Sequence, residues 1–425
     1  MNQLSSSLLT FSLLITLSAS ADSWPQYRGS KGDGISTESI PATLPAEGPK
    51  CIWKVAINGG FSSFAVSGGK AFTVMSREMD GENSEACVAL DAQTGKELWA
   101  TRTGRAKYQG GADSGTENNK GGDGPRSTPT VDGQKVYVYS ADMVLSCLDT
   151  ASGKLVWSKE ILKDFAGRKI GWESAMSPVV EGKLLYIVGG GAGQSILAFN
   201  KDTGEIAWKT GDELMTHTPP VVSTLHGVRQ IVFLVQSGLL ALAPESGKEL
   251  WRQAFPYRTS TASLPVIGNN MILCTAGYDI GGAAYEVSKT DGAFSTKELW
   301  RAKGNKQVAS LWSPPVYRDG CVYGMISFKQ FGDGPLKCVD LKTGAVKWEK
   351  AGFGAGNVVL AGDKLIALAD DGQVVIVKAS PDSYQELGRF KALQGKCWTT
   401  PALADGKLYV RSTKEGACFD LGSGK

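Results

Sequence analysis

Short apolar strands alternate with polar turns along this chain in one recurring order. LDAQTGKELW at 90–99, LDTASGKLVW at 148–157, FNKDTGEIAW at 199–208, LAPESGKELW at 242–251 and VDLKTGAVKW at 339–348 are versions of one phrase. Each reads as a hairpin: an alternating strand, a four-residue turn closed by Gly, and a second strand ending on Trp. The glycines (Gly95, Gly153, Gly204, Gly247, Gly344) supply the positive φ of a tight reversal. The Asp and the Ser/Thr before Gly bond neighbouring backbone N–H groups. The Trp is a large apolar plate between adjacent sheets, worth roughly 3–5 kcal/mol on truncation when buried.

A second phrase precedes each hairpin: RSTPTVDGQKVYVYS at 126–140, AMSPVVEGKLLYIVG at 175–189 and ASLPVIGNNMILCTA at 262–276, then SPPVYRDGCVYG at 313–324 and TTPALADGKLYVRS at 399–412. Ser/Thr-Pro opens a strand where a missing N–H is tolerated, and a tight turn leads into a Val/Leu/Tyr-rich strand. Two hairpins make four antiparallel strands, which is a propeller blade. The Trp or its stand-in falls at Trp53, Trp99, Trp157, Trp208, Trp251, Trp300, Trp348 and Phe390, a period of about 48 residues.

Counting gives the blade number. Trp53, in KCIWKVAI, has no first-half phrase before it, and the last first-half phrase runs into ACFDLGSGK without reaching a Trp. The two fragments complement each other, so the expected fold is all-β. It is an eight-bladed β-propeller of four-stranded antiparallel blades, closed by the N-terminal strand completing the C-terminal blade. Seven blades is the alternative, because YEVSKTDGAFSTKELW and IVKASPDSYQELGRF are degenerate units.

Length and composition then refine the picture. A chain of 425 residues exceeds one ordinary core, but a propeller distributes its core between blades, so residues 22–425 read as one domain. The longest irregular stretch, at 105–125, reads as a loop on one face. Residues 1–21 read as a signal peptide: Leu8 to Leu17 is apolar and too short to span a bilayer, and Ala19-Ser20-Ala21 makes a small-residue cleavage site. Met1-Asn2-Gln3 departs from the usual basic start, and no Cys follows the site. Export to the periplasm is expected, with no lipid anchor, no membrane span and a monomeric chain.

Eight Cys in an exported chain invite disulfides. Yet Cys147, Cys338 and Cys418 occupy equivalent places on different blades, too far apart to bridge, and fit better as small buried side chains. Cys51, Cys87, Cys274, Cys321 and Cys397 stay open as partners. With no C-x-x-C, covalent haem and the common zinc and redox motifs are excluded. A net charge of +3 without a basic cluster argues against nucleic acid and anionic membrane. Only His217 and His226 exist, which leaves almost no material for a His-centred metal or nucleophilic site.

The tandem hairpin phrase resembles the pyrroloquinoline quinone (PQQ)-like repeat over nearly all of the chain after residue 50. SWPQYRGSKGDGIS, GDGPRSTPTVDG and KCWTTPALADGKLYVR are similar to a bacterial group of exported propellers likened to BamB, the propeller subunit of the outer-membrane β-barrel assembly machinery. The same repeat builds quinoprotein alcohol dehydrogenases, where PQQ and calcium sit on the ring axis. The resemblance therefore implies fold more firmly than cofactor, since its residues are the ones that build the blade.

Axis residues carry the discrimination. Positions just before each Ser/Thr-Pro point to the channel mouth: Arg126, Trp172 and Glu173, Thr216 and His217, Trp312, Asn357 and Trp398. Trp stacks on flat ligands and Arg pairs with carboxylates, so Arg126, Trp172, His217, Trp312 and Trp398 form the candidate cofactor or ligand ring. Glu173 with Asn357 would offer oxygens to calcium, and Asp279 in GYDIGG is the candidate catalytic base of a PQQ-dependent alcohol or sugar dehydrogenase. Missing from that reading are the adjacent Cys pair of many such enzymes and the inserts that cover their site. The expectation is a binding or protein-interaction platform, with a cell-envelope protein or small molecule at the mouth and the dehydrogenase as alternative.

Overall fold

Eight antiparallel sheets follow one another around a ring in the computed structural model, which describes residues 23–45, 47–106, 108, 124–258, 261–327 and 332–422. The expected signal peptide and most of the 105–125 loop lie outside the described residues. Blades one to seven occupy 65–105, 130–160, 179–210, 221–254, 266–302, 316–350 and 357–391. The eighth combines Ala402–Ala404, Lys407–Arg411 and Glu415–Asp420 with the N-terminal strand Lys50–Ala56 on its outside. Trp53 stands opposite Cys418 and Lys54 opposite Ala417, so the two ends of the chain share the closing sheet as expected. The degenerate fifth and seventh units both form blades.

The repeat residues interlock from blade to blade. The indole N–H groups of Trp53, Trp99, Trp208 and Trp300 donate to the carbonyls of Ala92, Thr150, Pro244 and Leu341 in the next blade's turn, at 2.8–3.1 Å. Each ring also lies flat on the next turn's glycine. A Cβ on Gly95 would meet Trp53 at 2.8 Å, and one on Gly153 would meet Trp99 at 2.6 Å. The glycine therefore serves twice, through its positive φ (71° and 70° at these two) and through a closeness no side chain permits. Trp251 has no such turn ahead of it, because the fifth blade's hairpin extends to Thr290. It donates instead to Gln230 Oε1 at 2.6 Å.

A β-bulge precedes each Trp. Leu98, Val156, Ala207, Leu250, Leu299, Lys347 and Ile52 are skipped in the outer-strand registers. The bulge turns the indole toward the neighbouring blade and blunts the exposed outer edge. The seventh blade corrects the sequence reading. Its bulge falls at Leu387, so the Trp-equivalent opposite Ile376 is Gly388, and Phe390 lies two residues further along. Leu44 of the N-terminal segment fills the vacated space, within 3.3 Å of where a Gly388 Cβ would stand. Phe390 packs edge-on against Phe419 instead.

Around the axis, the Ser/Thr positions before the inner strands form a hydrogen-bonded chain. Thr400 N donates to Ser63 Oγ, Ser63 N to Thr128 Oγ1 and Thr128 N to Ser177 Oγ, each at 2.9 Å. These bonds link blades eight, one, two and three side by side. Arg411, fully buried, ties blade eight to blade one by donating to Thr73 Oγ1, Val74 O and Gly59 O at 2.6–2.8 Å. All eight cysteines are free thiols, and Cys147, Cys338 and Cys418 are buried within their blades.

Candidate functional site at the channel mouth

Because the inner strands all run the same way, the residues preceding them collect at one end of the axis. The structure places two stacked aromatic groups there. Trp398 stacks on Trp312 (centroids 4.8 Å apart, planes 28° apart) and on Phe61 (5.1 Å, 24°). Trp172 stacks on Tyr278 at 6.3 Å and 23°. The first group spans blades six, eight and one, and the second reaches from blade three to blade five. All five rings are half-buried.

The backbone is shaped to hold them. Trp172 and Glu173 are consecutive left-handed residues (φ 66° and 56°), and so are Tyr278 and Asp279 (57° and 65°). Such conformations cost about 1–2 kcal/mol per non-glycine residue, so the surrounding contacts over-determine them. Arg126 donates to the Trp172 carbonyl. Trp312 Nε1 donates to Ala355 O at 3.1 Å, and Asn357 Nδ2 to Trp398 O at 2.9 Å. The Lys396 ammonium sits 4.7 Å over the Trp398 ring, a cation–π contact.

The polar members have distinct surroundings. His217 is buried beneath the mouth, and burial, then the nearby Arg126 charge, lowers its pKa to about 3; the ring is neutral at physiological pH. Asn357 is buried too, and its Oδ1 has no hydrogen-bond partner among the described residues. Glu173 is buried at the entrance of blade three. Asp279 is exposed; its N–H donates to Asn305 Oδ1 at 2.9 Å, and its Oδ1 accepts from Asn305 Nδ2 at 2.6 Å. Among the described residues no group of three His, Cys, Asp or Glu is placed to hold a metal ion.

Sequence reasoning missed several members. Phe61 precedes Ser62-Ser63 as Trp398 precedes Thr399-Thr400, but the first blade's phrase lacks Pro, which hides the equivalence. Glu85 lies in a strand buried on both faces from Ser84 to Leu90, so strand alternation does not single it out. It accepts from Tyr108 Oη at 2.7 Å and from Ala141 N at 3.1 Å, and burial raises its pKa to about 7. The Arg126 guanidinium lies 5.7 Å from the Tyr108 ring centre, joining this pair to Trp172. Tyr278 gives no signal, because its role depends on a loop from another blade.

With this geometry established, relatives narrow the reading. Residues 83–350 match the family described as outer membrane protein assembly factor BamB. Quinohemoprotein alcohol dehydrogenase ADH IIB of Pseudomonas putida is 30% identical over 140 residues, 31% of this chain and 19% of that protein. The tetrathionate hydrolase of Acidithiobacillus ferrooxidans is 24% identical over 66% of this chain and 49% of its own length. The chain thus spans half or less of these two relatives. BamB of Yersinia pestis is 23% identical over 66% of this chain and 70% of that protein. Among solved structures, quinohemoprotein alcohol dehydrogenase from Comamonas testosteroni superposes with a TM-score of 0.64 at 15% identity, over 95% of this chain and 81% of that one. BamB from Moraxella catarrhalis gives 0.60 at 15%, over 87% and 97%. At such identities the structural likeness is one of fold.

Proposed function

The chain belongs to the family described as outer membrane protein assembly factor BamB, and we propose that it is an exported interaction platform whose aromatic channel mouth docks a cell-envelope protein. The observation carrying this reading is that each mouth indole is stacked on a neighbouring aromatic ring. Trp398 is engaged by Trp312 and Phe61, and Trp172 by Tyr278. Half-buried, pre-positioned Trp and Tyr rings are the usual anchors of a protein contact, because little rotamer freedom is lost when they are covered. Export to the periplasm is supported by the apolar Leu8–Leu17 stretch with its Ala19-Ser20-Ala21 site, and no helix among the described residues is long and apolar enough to cross a membrane.

A PQQ-dependent dehydrogenase fits the same ring less well. A quinone held on the axis needs an open slot between ring faces, and calcium needs six to eight converging oxygens. Here the ring faces meet each other, Arg126 is turned to a carbonyl, and Asp279 is held by Asn305. This arrangement favours the platform over a PQQ and calcium site.

A photo-cross-linking residue placed at Lys396 in cells, with a second at exposed Leu155 on an outer strand as control, tests the platform. An adduct with an envelope protein from position 396 only, weakened by Trp312→Ala or Trp398→Ala, is the expected result. Quinone absorbance that co-purifies, with calcium-dependent dye reduction by an alcohol that Glu173→Gln abolishes, overturns it.

A further inference from the structure

We propose that residues 24–36 are an exchangeable peptide ligand, held in cis, of the channel end opposite the aromatic mouth. This segment lies away from the mouth, and its test is independent of the platform reading. It crosses the axis near the far ends of the inner strands. Trp24 exchanges backbone hydrogen bonds with Val66 at 2.8 and 2.9 Å in blade one, and Pro25 O accepts from Val131 N at 2.7 Å in blade two. Across the channel, the Arg28 guanidinium donates to Pro314 O at 2.8 Å and Pro315 O at 2.9 Å in blade six. Ile35 and Ser36 then pair in parallel with Leu360 and Ala361 in blade seven.

Three features mark it as a docked peptide. Its backbone pairing is sparse, a single bridge and one two-residue ladder, whereas each blade is built on continuous ladders. Its hold includes two buried side chains, Trp24 at 2% and Arg28 at 1% exposure, and a Tyr27–Thr400 side-chain contact, as in peptides seated by pockets. It is also pre-folded on itself. Gly34 N donates to Arg28 O, Arg28 Nη2 to Asp33 O, and the Trp24 ring covers Gly29. Such pre-organisation lowers the entropy lost on binding.

An open pocket of about 290 Å³ lies between this segment and blades four to six, bordered by Lys31, Ile35, Val222, Pro265 and Tyr317. A smaller one of about 50 Å³ lies against blades three and four. The segment is thus anchored on both sides of the channel and leaves open space beside it.

The full chain with a specific protease site inserted at exposed Ala42–Thr43 tests the proposal, using a fluorescein-labelled synthetic peptide of residues 22–41 as probe. After cleavage the ring keeps its near-ultraviolet circular dichroism, releases the fragment on dilution and binds the probe saturably. An Arg28→Ala or Trp24→Ala peptide binds about tenfold more weakly or worse. Uncut protein, its site filled in cis, binds the probe about a hundredfold more weakly than cut protein. Unfolding on cleavage, a fragment that never exchanges, or equal binding by cut and uncut protein overturns the proposal.

Discussion

The six-membered ring of Trp99 lies against the α-carbon of Gly153 in the next blade, so close that a methyl group there would meet it at 2.6 Å. The same contact recurs between Trp53 and Gly95, Trp157 and Gly204, Trp208 and Gly247, and Trp300 and Gly344. The repeated phrase is thus one half of a contact whose other half lies one blade away. This explains why Gly and Trp recur together at fixed spacing.

Gly153→Ala is expected to destabilise the propeller through two additive effects. A left-handed residue with a Cβ costs about 1–2 kcal/mol, and overpacking against Trp99 costs a further ~1–3 kcal/mol. Gly133 has φ 58°, and a methyl group added there would meet nothing within 4 Å, so Gly133→Ala shows the backbone effect alone. Urea-denaturation midpoints compare the two, and equal shifts would refute the Trp–Gly contact as a source of stability.

Replacing Arg411 breaks the seam between the last and first blades. Arg411→Met fills similar volume but leaves the carbonyls of Val74 and Gly59 without their donor. A loss of about 3 kcal/mol or more is expected. Hydrogen exchange places the loss: protection falls first in Lys407–Arg411 and Lys70–Met79, and a uniform fall across all blades would count against a local seam.

Glu85 makes stability depend on pH near neutrality. The folded protein keeps its proton to about pH 7, whereas an ordinary glutamate carboxyl loses it near 4.5. Stability from this group is full below pH 4.5 and is lost as pH rises through 7, by up to about 3 kcal/mol. Glu85→Gln keeps the size and removes the charge, so its melting temperature falls less between pH 5 and 8 than that of the wild type. Parallel curves would mean the carboxyl is ionised throughout.

His217 acts in the opposite direction. Burial and Arg126 depress its folded pKa to about 3 from 6.5, so its contribution is complete above pH 6.5 and declines as pH falls toward 3. Nitrogen-15 shifts of the ring at pH 5 should report a neutral imidazole. A protonated signal there would show the ring open to solvent.

Legibility varies with the range of the interactions. Trp172, Trp312 and Trp398 are legible from their position before an inner strand, and the structure brings each to the mouth. Their partners Phe61 and Tyr278 come from other phrases and loops. Asp279, read as a base, is an exposed carboxylate held by Asn305 from a neighbouring loop. Phe390 misleads because a lone aromatic near the expected spacing looks like a repeat member. Only the register shows Gly388 in that place, with Leu44 supplying the apolar bulk.

By itself the sequence determined the strand order of each blade and the closure of Lys50–Ala56 on Glu415–Asp420, and favoured eight blades over seven, because alternation, turn chemistry and the Trp period are local and repeat with every unit. Tertiary structure decided the stacking of Trp398 on Trp312, the inward carboxyl of Glu85, and the seating of Trp24 and Arg28 across the channel. Those contacts join residues as many as 287 positions apart, as from Arg28 to Pro315. Their geometry exists only once the ring has closed and the residues leading into separate inner strands share one axis.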